Sequence, residues 1–193
     1  MVCINIFGMQ LRVDFTAPAL GALLCMMLPL PEVLQMCFAC VLHESAHFLA
    51  FCYYGCKPQM LHISAVGCNL CGEHLTVYST GQQAVILLSG VCANLLAAVI
   101  CMQTGFVGTA MWQLATGVCN LLPYRSTDGG TLLYLLLEQL LWDAAPHRVQ
   151  CIWMGWSICI TAGLACLMLH HPQTTVTMWV MLFFLFAAEW LRS

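Results

Sequence analysis

Val41-Leu42-His43-Glu44-Ser45-Ala46-His47-Phe48-Leu49-Ala50 sets one glutamate and two histidines inside a run apolar enough to cross a lipid bilayer. Read as a helix, the stretch puts His43 and His47 four residues apart on one face, where two imidazoles can bind a single ion. Glu44 adjoins them and can reach a water held by that ion. Two ligands leave a catalytic zinc incomplete, because such a site takes three protein ligands and keeps a further position open for water. A carboxylate at the bilayer centre also costs roughly 2.5–3.5 kcal/mol on insertion scales, so an idle glutamate there is disfavoured. The decapeptide therefore predicts a membrane span and a metal site in the same place.

Composition agrees on the environment. Of 193 residues, 62% are hydrophobic and 7% charged, which excludes an ordinary soluble domain. At roughly 20 residues per span, the length suits about six spans with short loops. The net charge of −3 provides no basic stripe, so nucleic acid is not an expected partner and the lipid bilayer is. Most of the 14 cysteines fall in apolar runs, among them Cys25, Cys37, Cys40, Cys92, Cys101, Cys159 and Cys166. There they are expected to pack as free thiols rather than form a disulfide framework.

Hydropathy and helix breakers predict an all-α polytopic membrane protein with spans at about Phe15 to Leu30, Glu32 to Tyr54, Thr80 to Met102, Phe106 to Leu141, Val149 to Leu169 and Thr174 to Leu191. No small-residue cleavage pattern follows the first run, so it is read as a retained span rather than a signal peptide. The fourth region is too long for one helix and carries Asn120, Pro123 and Asp128-Gly129-Gly130, so it is expected to be broken. Irregular backbone at membrane depth persists only when buried in protein or lining a wet cavity, so the break points to a site. Residues Gly55 to Ser79 mix glycines and polar residues with short apolar runs, and a small hairpin or re-entrant loop is expected after span two. Arg12, Lys57, Arg148 and Arg192 then share one side of the membrane, which makes both termini of this multi-pass chain cytoplasmic.

The third ligand must be a deep His, Asp or Glu. Asp14, Glu32, Glu73, Asp143 and Glu189 lie at span ends or in loops, leaving Asp128 and Glu138. Helical rise puts His43 about 16 Å from the end of its span at Tyr54 and Asp128 about 20 Å from Leu141 on the same side, whereas Glu138 is only about 5 Å deep. Asp128 is therefore preferred over Glu138, and it sits where the chain is free to present it. Cys68-x-x-Cys71 with His74 resembles half a metal site, but one such pair in a cysteine-rich chain is weak. Arg125 reads equally as a substrate contact or as a cavity-lining arginine.

Taken together, His43-Glu44-Ser45-Ala46-His47, Ser89-Gly90-Val91-Cys92-Ala93-Asn94, Asn120-Leu121-Leu122-Pro123 and Asp128-Gly129-Gly130 resemble the site-2 protease family of intramembrane metalloproteases. The likeness covers roughly Val41 to Gly130. With no PDZ insertion or C-terminal regulatory domain expected, the chain is most similar to the stage IV sporulation protease subgroup. Val91 stands where the family's Gly-Pro-x-x-Asn element has proline, Ala46 replaces a usual glycine, and Arg125-Ser126-Thr127 is more polar than the common pattern. The resemblance implies one transmembrane protease domain over residues 1–193, with a catalytic core at about 32–141 and two additional spans at about 149–191.

It also implies one Zn2+ per chain held by His43, His47 and Asp128, water activation by Glu44, and a contact to the substrate or oxyanion from Asn94, with Asn120 as a further candidate. The substrate would be a membrane-associated protein such as a sigma-factor precursor, and inhibitory membrane proteins would be partners. An unwound substrate segment is expected to add as a strand to an edge at Leu61 to Val66. The alternative is a non-hydrolytic membrane zinc-binding protein or transporter, which has no need of a base beside its ligands and would favour further polar residues along a path across several spans.

Overall fold

Short alternating strands and long apolar helices share the chain unequally. The computed structural model describes residues 2–6, 9–55, 60–64, 67–71, 78–141, 146–170 and 176–190. In chain order the elements are β1 (Val2–Ile6), β2 (Met9–Val13), α1 (Thr16–Met27), α2 (Leu30–Tyr53), β3 (Met60–Ser64), β4 (Gly67–Cys71), α3 (Thr80–Gln103), α4 (Val107–Asn120), α5 (Asp128–Leu140), α6 (Pro146–His170) and α7 (Val176–Trp190). They fall into two compact units, Met1–Val118 and Cys119–Ser193.

In the first unit α2 and α3 pack on each other, and their ends follow from local chemistry. Pro31 sits in the first turn of α2, where its missing N–H costs no hydrogen bond. Ser79 and Gln82 form a reciprocal capping box at the start of α3. Both helices stop at glycines with left-handed backbone, Gly55 at φ 81° and Gly105 at φ 84°. Gly117 lets α4 lie close to α3, since an added Cβ would stand 3.1 Å from Leu95 Cδ2.

The hairpin expected after span two is present as antiparallel β3 and β4, but it belongs to a four-stranded sheet in the order β1-β2-β3-β4. The all-α expectation is corrected accordingly. β1 and β2 are five-residue strands, too short for alternation to stand out, and β2 is secured by parallel pairing with β3 about fifty residues later. Where β2 runs into α1, His62 Nε2 lies 2.8 Å from Asp14 Oδ2, and the Asp14 N–H donates to the Ile63 carbonyl. The expectation that Leu61 to Val66 offers a free edge fails over its described part, because β3 is paired on both sides, while residues 65 and 66 lie outside the described residues.

Among the described residues, three helices are long and apolar enough to cross a membrane: Leu30–Tyr53, Thr80–Gln103 and His147–His170. Their outward residues are mostly apolar, with Val41, Leu49, Leu96 and Leu167 all more than 60% exposed, while His43, His47 and Asn94 are buried. This inversion is what a lipid solvent selects. At 1.5 Å per residue the 12 residues of α1 and the 14 of α4 reach only about 18 and 21 Å, short of a 30 Å hydrocarbon core. Helical backbone stops at Asn120 and resumes at Asp128. Cys25, Cys37, Cys40, Cys92, Cys101, Cys159 and Cys166 are free thiols.

Candidate metal centre

Four-residue spacing on α2 stacks His43 and His47 on its buried face. Their rings meet edge to face with centroids 4.6 Å apart, and their Nε2 atoms stand 3.1 Å from one another. His47 Nδ1 lies 2.8 Å from the Ile86 carbonyl, which can only accept, so Nδ1 carries the hydrogen and, in the neutral ring, Nε2 carries the lone pair. Ser89 Oγ donates to the same carbonyl and lies 3.2 Å from Nδ1. A backbone carbonyl that fixes a histidine's tautomer and ring angle is the usual outer support of a metal ligand. Two nitrogens on one tetrahedral zinc stand about 3.3 Å apart, close to the spacing observed.

Gly90 of α3 faces this pair. A Cβ there would come 2.6 Å from His47 Nε2 and 2.7 Å from His43 Cε1, so a side chain would intrude on the faces the two rings present. One turn later on α3, Asn94 is wholly buried, and its Nδ2 donates to the Ala39 carbonyl, one turn before His43 on α2. The α2–α3 contact thus holds the histidines from both ends, through Ile86 and Ser89 at His47 and through Asn94 at Ala39. The donor set and the glycine gap fit a small cation.

In the second unit Asp128 opens α5 at its first helical position, where a carboxylate is favoured by about 0.3–1 kcal/mol. Thr127 caps the helix, accepting from the Gly130 N–H at 3.3 Å. Its hydroxyl hydrogen is shared between the Tyr124 carbonyl at 2.8 Å and the Leu122 carbonyl. The glycines after Asp128 have a steric cause. A Cβ on Gly129 would lie 2.8 Å from the Leu121 backbone, and one on Gly130 would overlap the Tyr124 carbonyl. The break at residues 121–127 is therefore folded tightly back on the first turn of α5, and Asp128 stands where that fold puts it.

No family model matches the chain, and no curated protein matches it in sequence. The fold is that of a solved structure, the Site-2 Protease from Methanocaldococcus jannaschii. The likeness has a TM-score of 0.64 over 96% of this chain and 91% of that one, at 17% identity.

Glu44 is half-buried on α2 beside His43, and Asn120 is the last residue of α4. Glu138, weighed against Asp128 for the third ligand, is exposed on α5. With Arg125, Thr131, Tyr134 and Leu135 it lines an open cavity of about 480 Å³. Arg125 lays its guanidinium 3.8 Å above the centre of the Tyr134 ring. The backbones of Cys68 and Cys71 lie in β4, while His74 is outside the described residues. The sequence reading missed the Ile86 carbonyl and Ser89 as supports of His47. It could have found Ser89, a polar residue directly before the glycine that faces the histidines.

Proposed function

We propose that the chain is an intramembrane zinc metalloendopeptidase of the site-2 protease type. In this reading His43, His47 and Asp128, residues able to hold a metal ion, bind one Zn2+ per chain. The observation that carries it is the buried histidine pair, with Nε2 atoms 3.1 Å apart beneath the Gly90 gap. The site-2 protease fold and the apolar composition support it.

A zinc ion held there would supply a water with a pKa near 7 and a Lewis acid for the scissile carbonyl. The Glu44 carboxylate takes the proton from the attacking water and passes it to the leaving amine nitrogen. The Ile86 carbonyl keeps His47 in the ligating tautomer throughout. Asn94 and Asn120 are the candidate contacts to the substrate backbone or oxyanion. The six-span topology with a fourth span broken at residues 121–127, and cytoplasmic termini, belong to the same proposal and rest on hydropathy and on Arg12, Lys57, Arg148 and Arg192.

The substrate is a membrane-associated protein, cut within or near the bilayer. On the motif resemblance alone, the sporulation subgroup would make it a sigma-factor precursor and would add inhibitory membrane proteins as partners. Co-expression with membrane-tethered precursors tests the function. Wild type should release a soluble fragment and Glu44→Gln should not. Equal processing by a Glu44→Gln protein that retains zinc would leave the non-hydrolytic alternative, a zinc-binding protein or transporter, as the better account.

A further inference from the structure

The second unit holds a buried carboxylate that the proposed chemistry does not use. Glu189 lies near the end of α7, a helix otherwise rich in Phe, Leu and Met, and is 1% exposed. A carboxylate buried among apolar residues persists only when its oxygens are hydrogen bonded. Both are: the Arg125 backbone N–H donates to Oε2 at 2.6 Å, and Trp153 Nε1–H of α6 donates to Oε1 at 2.6 Å.

The Arg125 N–H shares a peptide group with the Tyr124 carbonyl. That carbonyl accepts from the Thr127 backbone N–H at 2.9 Å and from the Thr127 hydroxyl at 2.8 Å. One peptide plane is thus held at its N–H by Glu189 and at its C=O by Thr127, the residue before Asp128. Gly130 lies against the same carbonyl with no room for a Cβ. On the far side of Arg125, its own carbonyl accepts from Thr131 Oγ1 at 3.1 Å. Asp128 is bracketed by Thr127 and Thr131, and both are tied to the segment that Glu189 fixes. Tyr124 is itself wholly buried, with its hydroxyl 2.9 Å from Thr161 of α6.

We infer that Glu189 is a positioning residue for Asp128: through the Tyr124–Arg125 peptide it sets the conformation of the break and so the place from which the Asp128 carboxylate reaches its metal. This rests on the reading of Asp128 as a metal ligand. Glu189→Gln keeps the shape but replaces one acceptor oxygen with a donor NH2, so it cannot accept from both Arg125 and Trp153. Trp153→Phe removes the other donor and leaves the Arg125 bond in place, which separates positioning from simple support of the α6–α7 packing.

The test measures zinc affinity of detergent-purified full-length wild type, Asp128→Asn, Glu189→Gln and Trp153→Phe by chelator competition, alongside metal-free thermal unfolding of each. Glu189→Gln should weaken zinc by at least about tenfold. Trp153→Phe should lower the unfolding temperature while holding zinc within about threefold of wild type. Should Glu189→Gln yield no folded protein, Glu189→Asp, one methylene too short to reach both donors, takes its place with the same expected loss. Wild-type affinity in the Glu189 variant, or an equal loss in Trp153→Phe, would overturn the inference. Wild type that binds no zinc, or Asp128→Asn that binds like wild type, would instead sink the metal reading on which it rests.

Discussion

The histidine pair and Asp128 are presented by opposite means. His43 and His47 ride a regular helix, and four-residue spacing alone puts them on one face. Asp128 stands at the first position of α5, and its place depends on seven non-helical residues folded back by Thr127, Gly129 and Gly130. A helix carries ligand geometry in its period, so the surroundings need only trim it. A chain break carries none, so side-chain ties must supply it. The histidines should accordingly be sensitive to loss of the side chain itself, and Asp128 to changes in residues that touch no metal.

The largest expected effect is at the proposed ligands. His43→Ala or His47→Ala should abolish stoichiometric zinc in the purified protein, measured by elemental analysis, because a two-ligand remnant cannot hold a catalytic ion. Gly130→Ala comes next and tests the break. Its Cβ would overlap the Tyr124 carbonyl, a backbone atom that cannot swing aside, and the cost should be about 3 kcal/mol in chemical unfolding with zinc lost as well. Gly90→Ala tests the helical half. The histidine rings would have to turn away from a Cβ 2.6 Å from His47 Nε2, so zinc affinity should fall about tenfold while the fold survives. Thr127→Ala should be mildest, costing about 1 kcal/mol through the lost cap and leaving the His43–His47 pair unchanged. If Gly130→Ala proved milder than Gly90→Ala, the contrast between a self-sufficient helix and a tied break would fail.

The same contrast sorts what the sequence made legible. The helices of the histidine pair and of α3 were readable because a 24-residue apolar run with caps leaves few alternatives. The hairpin after α2 was one of two forms readable from its glycines and short apolar runs, the other being a re-entrant loop. The sheet it joins was not, since β1 and β2 have five residues each and depend on a parallel partner far along the chain. The break before Asp128 could be placed from Pro123 and the glycines, but not its internal ties. Glu189 looked like a span-end carboxylate. Only the fold reveals that both of its oxygens are occupied and that one holds the backbone before Asp128. The Ile86 carbonyl was hidden for a related reason, because it acts on His47 across a helix pair rather than along one helix.

A chain with 14 cysteines could also bind zinc through sulfur, and the central claim is that it does not. X-ray absorption at the zinc edge of the purified protein distinguishes the two directly. A site built from His43, His47 and Asp128 predicts a first shell of nitrogen and oxygen at about 2.0–2.1 Å with imidazole scattering beyond it, altered in Asp128→Asn. A sulfur shell at about 2.3 Å, unchanged by that substitution, would contradict it.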